Sequence, residues 1–314
     1  MISIVCPTLN EDQYIAPLLD FFLLIEPREK EIWIADGGST DQTRNIVNRY
    51  ATLNKNIFLV DNPKKFVPFA LNLLIPKCKG EIIVRWDAHT TYAPDYLLQI
   101  VSTFNKTKAS IVGGPMRAIG NSPFQIAVAH ATSTAFGVGN SSFHFENFEG
   151  ATDSVYLGAW KREIFESIGL FDELMLRNQD DEFHYRARQA GLLIYQNPDI
   201  KSYYYPRQSV GSLARQYFGY GNFKPLVLRK NNKEWKLRHF VPAFFLVYLV
   251  MLSVLGWIFP VVLVPLFLYA ILNVYFSFFC RETPRIKFFC LLIFPVLHIS
   301  YGFGFCLGLF KRKK

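Results

Sequence analysis

The chain is short of charge for a soluble protein. Asp, Glu, Lys and Arg make up 19% of its 314 residues, against 51% hydrophobic residues. That balance fits a globular domain joined to a membrane segment better than a wholly soluble protein. Residues 240–280 carry no charge at all. The five cysteines (Cys6, Cys78, Cys280, Cys290, Cys306) form no CxxC pair, so nothing marks a dithiol redox or zinc motif, and buried free thiols in a reducing compartment are the expectation. The N-terminus lacks a basic leader, and its apolar run MISIVC is too short for a signal peptide. The N-terminal domain is therefore expected to stay in the cytoplasm.

What charge there is has a location. The net +9 resides in residues 224–239 and 281–314, and residues 1–223 are slightly acidic. Basic residues bordering apolar runs point to anionic lipid headgroups. A nucleic-acid partner is not expected, because the large domain has no basic stripe.

Along the first 115 residues, strand-like runs (ISIVCPT, EIWIADGG, IFLVDN, EIIVRWDAH, SIVGG) alternate with helix-like ones (EDQYIAPLLDFFLLI, STDQTRNIVNRYAT, FVPFALNLLI, APDYLLQIVSTF). Such alternation predicts an α/β domain with a mostly parallel sheet covered on both faces, whose ligands bind beyond the carboxyl ends of the strands. Three polar clusters fall at those ends: residues 7–11, 36–41 and 87–89. Residues 120–150, rich in turn formers and weak in periodicity, read as a mobile acceptor loop. VYLGAW, LLIYQNP and SYYYP read as further strands, and KREIFESIG and QDDEFHYRARQAG as helices.

The domain expectation is a catalytic domain over 1–223, a basic juxtamembrane segment over 224–239 and a membrane region over 240–314. A spanning helix needs about 20 apolar residues, so 240–280 holds two, about 241–259 and 261–280, turning at Pro260. A third apolar run, 288–310, contains Pro295, Gly302, Gly304 and Gly308. Basic clusters at Lys236 and Arg238, at Arg281, Arg285 and Lys287, and at 311–314 all ask for the cytoplasmic side. The third run is then spanning or, as the charges prefer, re-entrant.

Four constellations carry candidate chemistry. In Asp36-Gly37-Gly38-Ser39-Thr40-Asp41, consecutive glycines permit a sharp turn, Ser39 and Asp41 suit the cap of the next helix, and Asp36 is placed to accept from a ribose hydroxyl or a base N–H. A simple capped turn explains the same residues. Asp87 and His89, two apart at a strand end, suit Mn²⁺, or Mg²⁺ where oxygen ligands dominate; a cation there would bridge a diphosphate and neutralise leaving-group charge. An ordinary polar strand end is the plainer alternative. Gln179-Asp180-Asp181-Glu182 opens a helix, where acids complement the helix dipole, yet one such carboxylate could also serve as a base that takes the proton of an attacking hydroxyl. Arg186 and Arg188 follow on that helix and suit these acids or phosphate. The fourth, residues 207–224, mixes Arg215, Gln216 and Lys224 with aromatic residues; it reads as a sugar and diphosphate contact, as an amphipathic surface helix, or as both.

The order PTLNE, IADGGSTD, RWDAH, GAW, GLFDE, QDDEF resembles the family-2 glycosyltransferases of GT-A fold, in particular the bacterial exopolysaccharide (succinoglycan-type) branch, over nearly the whole chain. The resemblance implies a hexosyltransferase with a nucleotide-sugar donor, UDP-sugar favoured. It places Pro7, Thr8, Asn10 and Glu11 in the nucleotide-contact loop, Asp36 on the nucleoside, Arg85 and Asp87 on the donor, and Asp87 with His89 on Mg²⁺ or Mn²⁺. It makes Asp180 the catalytic base, and Asp153, Gln179, Asp181, Arg215 and Gln216 acceptor contacts. The chain departs from the pattern at His89, where an acid is usual, and at Gln179, where Glu is usual. The QxxRW motif of processive synthases is absent, with Arg215-Gln216-Tyr217 near its place, which implies one sugar per encounter. The acceptor implied is a lipid-linked saccharide at the inner (cytoplasmic) membrane; transfer to polyprenyl phosphate itself and a non-catalytic nucleotide-binding scaffold are the alternatives.

Overall fold

The computed structural model describes residues 1–230, 235, 237–255, 259–279 and 282–311. Expectations resting on Lys236, Cys280, Arg281 and residues 312–314, and on the side chain of Arg238, lie outside the described residues. The chain forms two compact units: Met1–Arg117 with Phe145–Tyr204, and Ala118–His144 with Tyr205–Lys314.

The first unit is built on the expected alternation. Strand β1 (Ile2–Thr8) leads through helix α1 (Asp12–Leu24) to β2 (Lys30–Asp36), then α2 (Thr43–Leu53), β3 (Ile57–Asp61), α3 (Val67–Leu74) and β4 (Ile82–Arg85). These four strands are parallel, in the order β3-β2-β1-β4. Ile4, Ile32, Ile34 and Val84 pack with Ile15, Leu19 and Phe22 of α1 on one face, while Val5, Ala35 and Ile83 pack with Leu71 and Leu74 of α3 on the other. Burial on both faces is what near-continuous apolar strands require.

After β4 come β5 (Thr90–Tyr92), α4 (Tyr96–Lys106), β6 (Ile111–Gly114) and β7 (Met116–Ala118). Two helices of the second unit follow, α5 (Pro123–Thr132) and α6 (Ala135–Val138). The first unit resumes with β8 (Gly150–Ala151), β9 (Tyr156–Lys161), α7 (Ile164–Ile168), α8 (Gln179–Gln189), β10 (Ile194–Gln196) and β11 (Ser202–Tyr204). The VYLGAW strand, β9, inserts antiparallel between β4 and β6, and the eight-stranded sheet continues through β10 to β8. A small sheet, β5-β11-β7, stands apart.

The stretch read as a mobile loop is instead helical over α5 and α6. Ser122 caps α5, its Oγ accepting from Gln125 N at 3.2 Å, and Pro123 occupies the first turn, where its missing N–H costs nothing. Phe124, Ala127, Val128 and Ala131 recur at helical spacing and bury against Ile293, Phe294 and Leu297.

Those partners lie on α12. The second unit continues through α9 (Val210–Lys230), α10 (Val241–Leu255), α11 (Val264–Phe278) and α12 (Pro284–Leu309). The expected boundary at 223 falls within α9. Gly221 of α9 and Gly304 of α12 let the backbones touch: a Cβ on Gly221 would lie 2.1 Å from the Tyr301 carbonyl oxygen, and one on Gly304 would lie 2.2 Å from that of Phe218. Such small-residue contact is how helices pack where no hydrophobic driving force exists between them.

Two helical stretches, Pro260–Phe278 and Pro284–Leu309, are long and apolar enough to cross a membrane, and the first is almost wholly exposed. Helix α12 runs unbroken through Pro295. Proline removes the N–H that would serve the carbonyl four residues earlier, and Asn273 Nδ2 of α11 donates to that carbonyl, Leu291 O, at 3.0 Å. His130 Nε2 donates at 2.9 Å to Phe276 O, one of the last carbonyls of α11.

Candidate active site

Sheet register brings the three polar clusters together. Thr8 pairs with Asp36 across β1 and β2, Val5 pairs with Arg85 across β1 and β4, and Trp86 N donates to Val5 O at 3.0 Å. Residues 7–11, 36–41 and 85–89 therefore leave the carboxyl edge of three adjacent parallel strands.

The first two loops are knitted to each other. Asn10 takes a left-handed backbone (φ 56°), which asparagine tolerates. Its Oδ1 accepts from Thr40 N at 2.8 Å, and its own N–H donates to Ser39 Oγ at 2.9 Å. Glu11 N donates to Thr43 Oγ1 at 2.8 Å, and Asp12 N to Asp41 Oδ2 at 3.1 Å. Asp41 thus serves the first N–H of α1 as well as that of α2, its Oδ1 accepting from Thr43 N at 3.0 Å, while Ser39 binds the loop before α1.

Asp36 is the hub of this region, with its side chain fully buried. It accepts from Gly38 N and Ser39 N, each at 3.1 Å, from Ser39 Oγ, and from Arg44 Nη1 at 2.8 Å. Gly38 makes the turn possible with φ 82°. Burial pushes the carboxyl up, but the donors from Ser39, Arg44 and Gly38 outweigh it and hold Asp36 below its ordinary value. Arg44 also reaches Asp61 Oδ1 at 2.6 Å. Nothing in the spacing of the sequence marked Arg44 as a member of this site.

The β4 end carries the second ionic cluster. Arg85, the last residue of β4, is buried. Its Nε donates to Asp87 Oδ1 at 3.0 Å, its Nη2 to Asp87 Oδ2 at 3.2 Å, and its Nη1 to Asp180 Oδ2 at 2.9 Å. Burial alone would lower the guanidinium pKa, yet Asp87 and Asp180 beside it raise it above the ordinary value, so the charge is permanent. Asp87 N is held by the hydroxyl of Tyr92 at 2.8 Å. His89 Nδ1 lies 2.9 Å from Glu11 Oε1. A carboxylate beside Nδ1 stabilises the tautomer that carries its proton on that nitrogen.

Helix α8 presents Asp180 to this cluster. It starts after Asn178, again left-handed at φ 59°. Buried Glu182 accepts from Arg186 Nε at 2.9 Å, and Arg186 also donates to the carbonyls of Ile168 and Leu170, which pins the α7–α8 connection. Arg188 pairs with Asp153 at 3.3 Å. Gln179 is buried, with Nε2 3.4 Å from Asp180 Oδ2. His184, one turn beyond Asp180, is buried against Ser154 Oγ at 2.8 Å, and burial lowers its pKa so that it stays neutral. Arg215 and Gln216 sit on α9 in the second unit; Gln216 Nε2 donates to Tyr220 Oη at 3.1 Å.

Among the described residues, no group of three or more His, Cys, Asp or Glu side chains forms a ready-made cation cage. The donor set is one carboxylate, Asp87, with His89 nearby in sequence.

The mixed sheet with a parallel core belongs to the GT-A class of glycosyltransferase fold, as its likeness to two solved structures shows. The chain matches the mannosyltransferase PcManGT from Pyrobaculum calidifontis, solved in complex with GDP-Man and Mn²⁺, with a TM-score of 0.65 at 19% identity over 95% of this chain and 85% of that one. It also matches S. aureus TarS 1-349 in complex with UDP-GlcNAc, with a TM-score of 0.54 at 17% identity over 76% and 72% of the two chains.

Residues 3–169 match the model of glycosyl transferase family 2, and the chain belongs to that family. It is 33% identical to succinoglycan biosynthesis protein ExoA of Rhizobium meliloti over 76% of this chain and 73% of the relative. It is 29% identical, over 99% and 97% of the two chains, to the dolichyl N-acetyl-alpha-D-glucosaminyl phosphate 3-beta-D-2,3-diacetamido-2,3-dideoxy-beta-D-glucuronosyltransferase of Methanococcus voltae.

Proposed function

We propose that this family-2 glycosyltransferase moves a sugar, with inversion, from a nucleotide-diphospho-sugar to a lipid-linked saccharide in exopolysaccharide or cell-surface glycan synthesis. The observation that carries the reading is the Asp87–Arg85–Asp180 chain, which puts a donor-side acid and a candidate base on one guanidinium at the carboxyl edge of the sheet.

The donor lies across Pro7, Thr8, Asn10, Glu11, Asp36, Arg85 and Asp87. Asp87 and His89 would hold a Mg²⁺ or Mn²⁺ ion, which would supply charge neutralisation for the leaving diphosphate; such an ion needs only one or two protein ligands. Asp180 takes the proton of an acceptor hydroxyl. The hydroxyl oxygen attacks the anomeric carbon from the face opposite the leaving group, and the bond to the nucleotide diphosphate breaks. Asp153, Gln179, Asp181, Arg215 and Gln216 are proposed to orient the acceptor. Helices α10 to α12 seat the protein in the inner membrane with the catalytic unit on the cytoplasmic side, which fits the basic residues that border them. The names of the relatives, one a polysaccharide biosynthesis protein and one a transferase to a dolichyl-linked sugar, support this acceptor class.

Membranes carrying the chain, screened with radiolabelled UDP-sugars and GDP-mannose, should label lipid-linked saccharide rather than bare polyprenyl phosphate. A chelator should abolish the transfer, and added Mn²⁺ or Mg²⁺ should restore it. Labelling of polyprenyl phosphate alone would move the reading to a polyprenyl-phosphate transferase, and absence of transfer with every donor would leave a binding scaffold.

A further inference from the structure

We infer that Arg85 is a positioning residue for the base, and that it determines which oxygen of Asp180 does the chemistry. The inference rests on the proposed role of Asp180 and deepens it. Arg85 is the buried bridge between two carboxylates that lie 93 positions apart in the chain. Two of its nitrogens are committed to Asp87, which fixes the plane of the guanidinium, and Nη1 then meets Asp180 Oδ2 at 2.9 Å. Gln179 Nε2 approaches the same oxygen at 3.4 Å. Among the described residues none donates to Oδ1. A third of the Asp180 side chain is exposed (35%) while Arg85 is at 10%, so the carboxylate is the more open of the two.

The consequence is a division of labour within one carboxylate. Oδ2 is held, and Oδ1 is left to accept the acceptor's proton. The held oxygen fixes the direction of the free lone pairs, and misdirection of a base by a fraction of an ångström costs rate without costing affinity. Lysine cannot replace this arrangement, because an ammonium is a point donor and lacks the planar fork that serves two carboxylates at set angles.

The test is a double-mutant cycle in membranes holding the full chain, with whichever of UDP-glucose, UDP-galactose, UDP-N-acetylglucosamine or GDP-mannose supports transfer. Arg85→Lys should lower kcat by about 100-fold, at the low end of a general base's worth, while the donor KM changes by less than about tenfold. In an Asp180→Asn background, Arg85→Lys should cost little more, because residues acting as one unit are non-additive. Guanidinium ion should restore part of the activity of Arg85→Ala and methylammonium should not, a readout that also serves if the lysine variant fails to fold. Fully multiplicative losses, or an Arg85→Lys change confined to KM, overturn the inference while leaving the base assignment standing. Near-normal turnover in Asp180→Asn overturns the base assignment itself.

Discussion

Two arginines in this molecule each join two aspartates, and they do different jobs. Arg44 joins Asp36 to Asp61 through a single nitrogen, Nη1, and is 36% exposed. Arg85 joins Asp87 to Asp180 through three nitrogens and is buried. At the first site Asp36 accepts from Gly38, Ser39 and Arg44, and its carboxylate shapes the turn after β2. At the second, Asp180 keeps an oxygen in reserve. The difference teaches that a carboxylate–arginine pair at a strand end is diagnostic of chemistry only when the acid has acceptor capacity left over.

The sharpest way to break that comparison is Asp180→Asn. It should cost about 10² to 10⁴ in kcat and leave nucleotide binding, followed by protection against thermal unfolding, within a few-fold of the parent. If Asp181→Asn rather than Asp180→Asn produced that loss, the base would lie one residue on. Asp87→Asn is expected next. It removes the carboxylate proposed to hold a cation and half of Arg85's partners, so donor binding and turnover should fall together, and any cation dependence of donor binding should disappear.

Asp36→Asn should act on structure. Losing buried charge-assisted bonds costs on the order of 1–3 kcal/mol, visible as a lower Tm, with the donor KM raised more than kcat is reduced. The same group gives a pH signature. The folded Asp36 pKa lies below the unfolded value near 3.9, so its stabilisation is fully present above about pH 4 and is lost as pH falls through the lower folded value. Urea midpoints measured against pH should show a shallower acid limb in Asp36→Asn than in the parent. The smallest effect belongs to Arg44→Lys. Being partly exposed, it should cost no more than about 1 kcal/mol and leave kcat unchanged.

Much of this was legible beforehand because it is local. The alternation that predicts a parallel core needs only short windows, and β1 to β4 with α1 to α4 fall where apolar periodicity places them. The polar clusters at residues 7–11, 36–41 and 87–89 meet at one sheet edge because adjacent parallel strands end on the same side. What stayed hidden is non-local. Nothing in RWDAH says that Arg85 will find Asp180, nor that His89 will find Glu11; those partners are chosen by the sheet order and by where β9 inserts. The misjudged segment at 120–150 is a different case. Phe124, Ala127, Val128 and Ala131 already carried a helical period, and Ser122-Pro123 an N-terminal signal. Abundant turn formers outweighed them, because the partner that makes the apolar face worth burying, α12, comes far later in the chain.

Asn273 and Pro295 have a consequence for how the protein is made. The Leu291 carbonyl loses its helical donor because of Pro295, and an amide on the preceding helix supplies a replacement. Synthesis delivers that amide first. Asn273 therefore precedes the proline whose missing N–H it replaces, and the hydrogen bonding of α12 at Leu291 is completed by its predecessor. Replacing Asn273 with leucine would make α11 more apolar and yet leave α12 harder to complete.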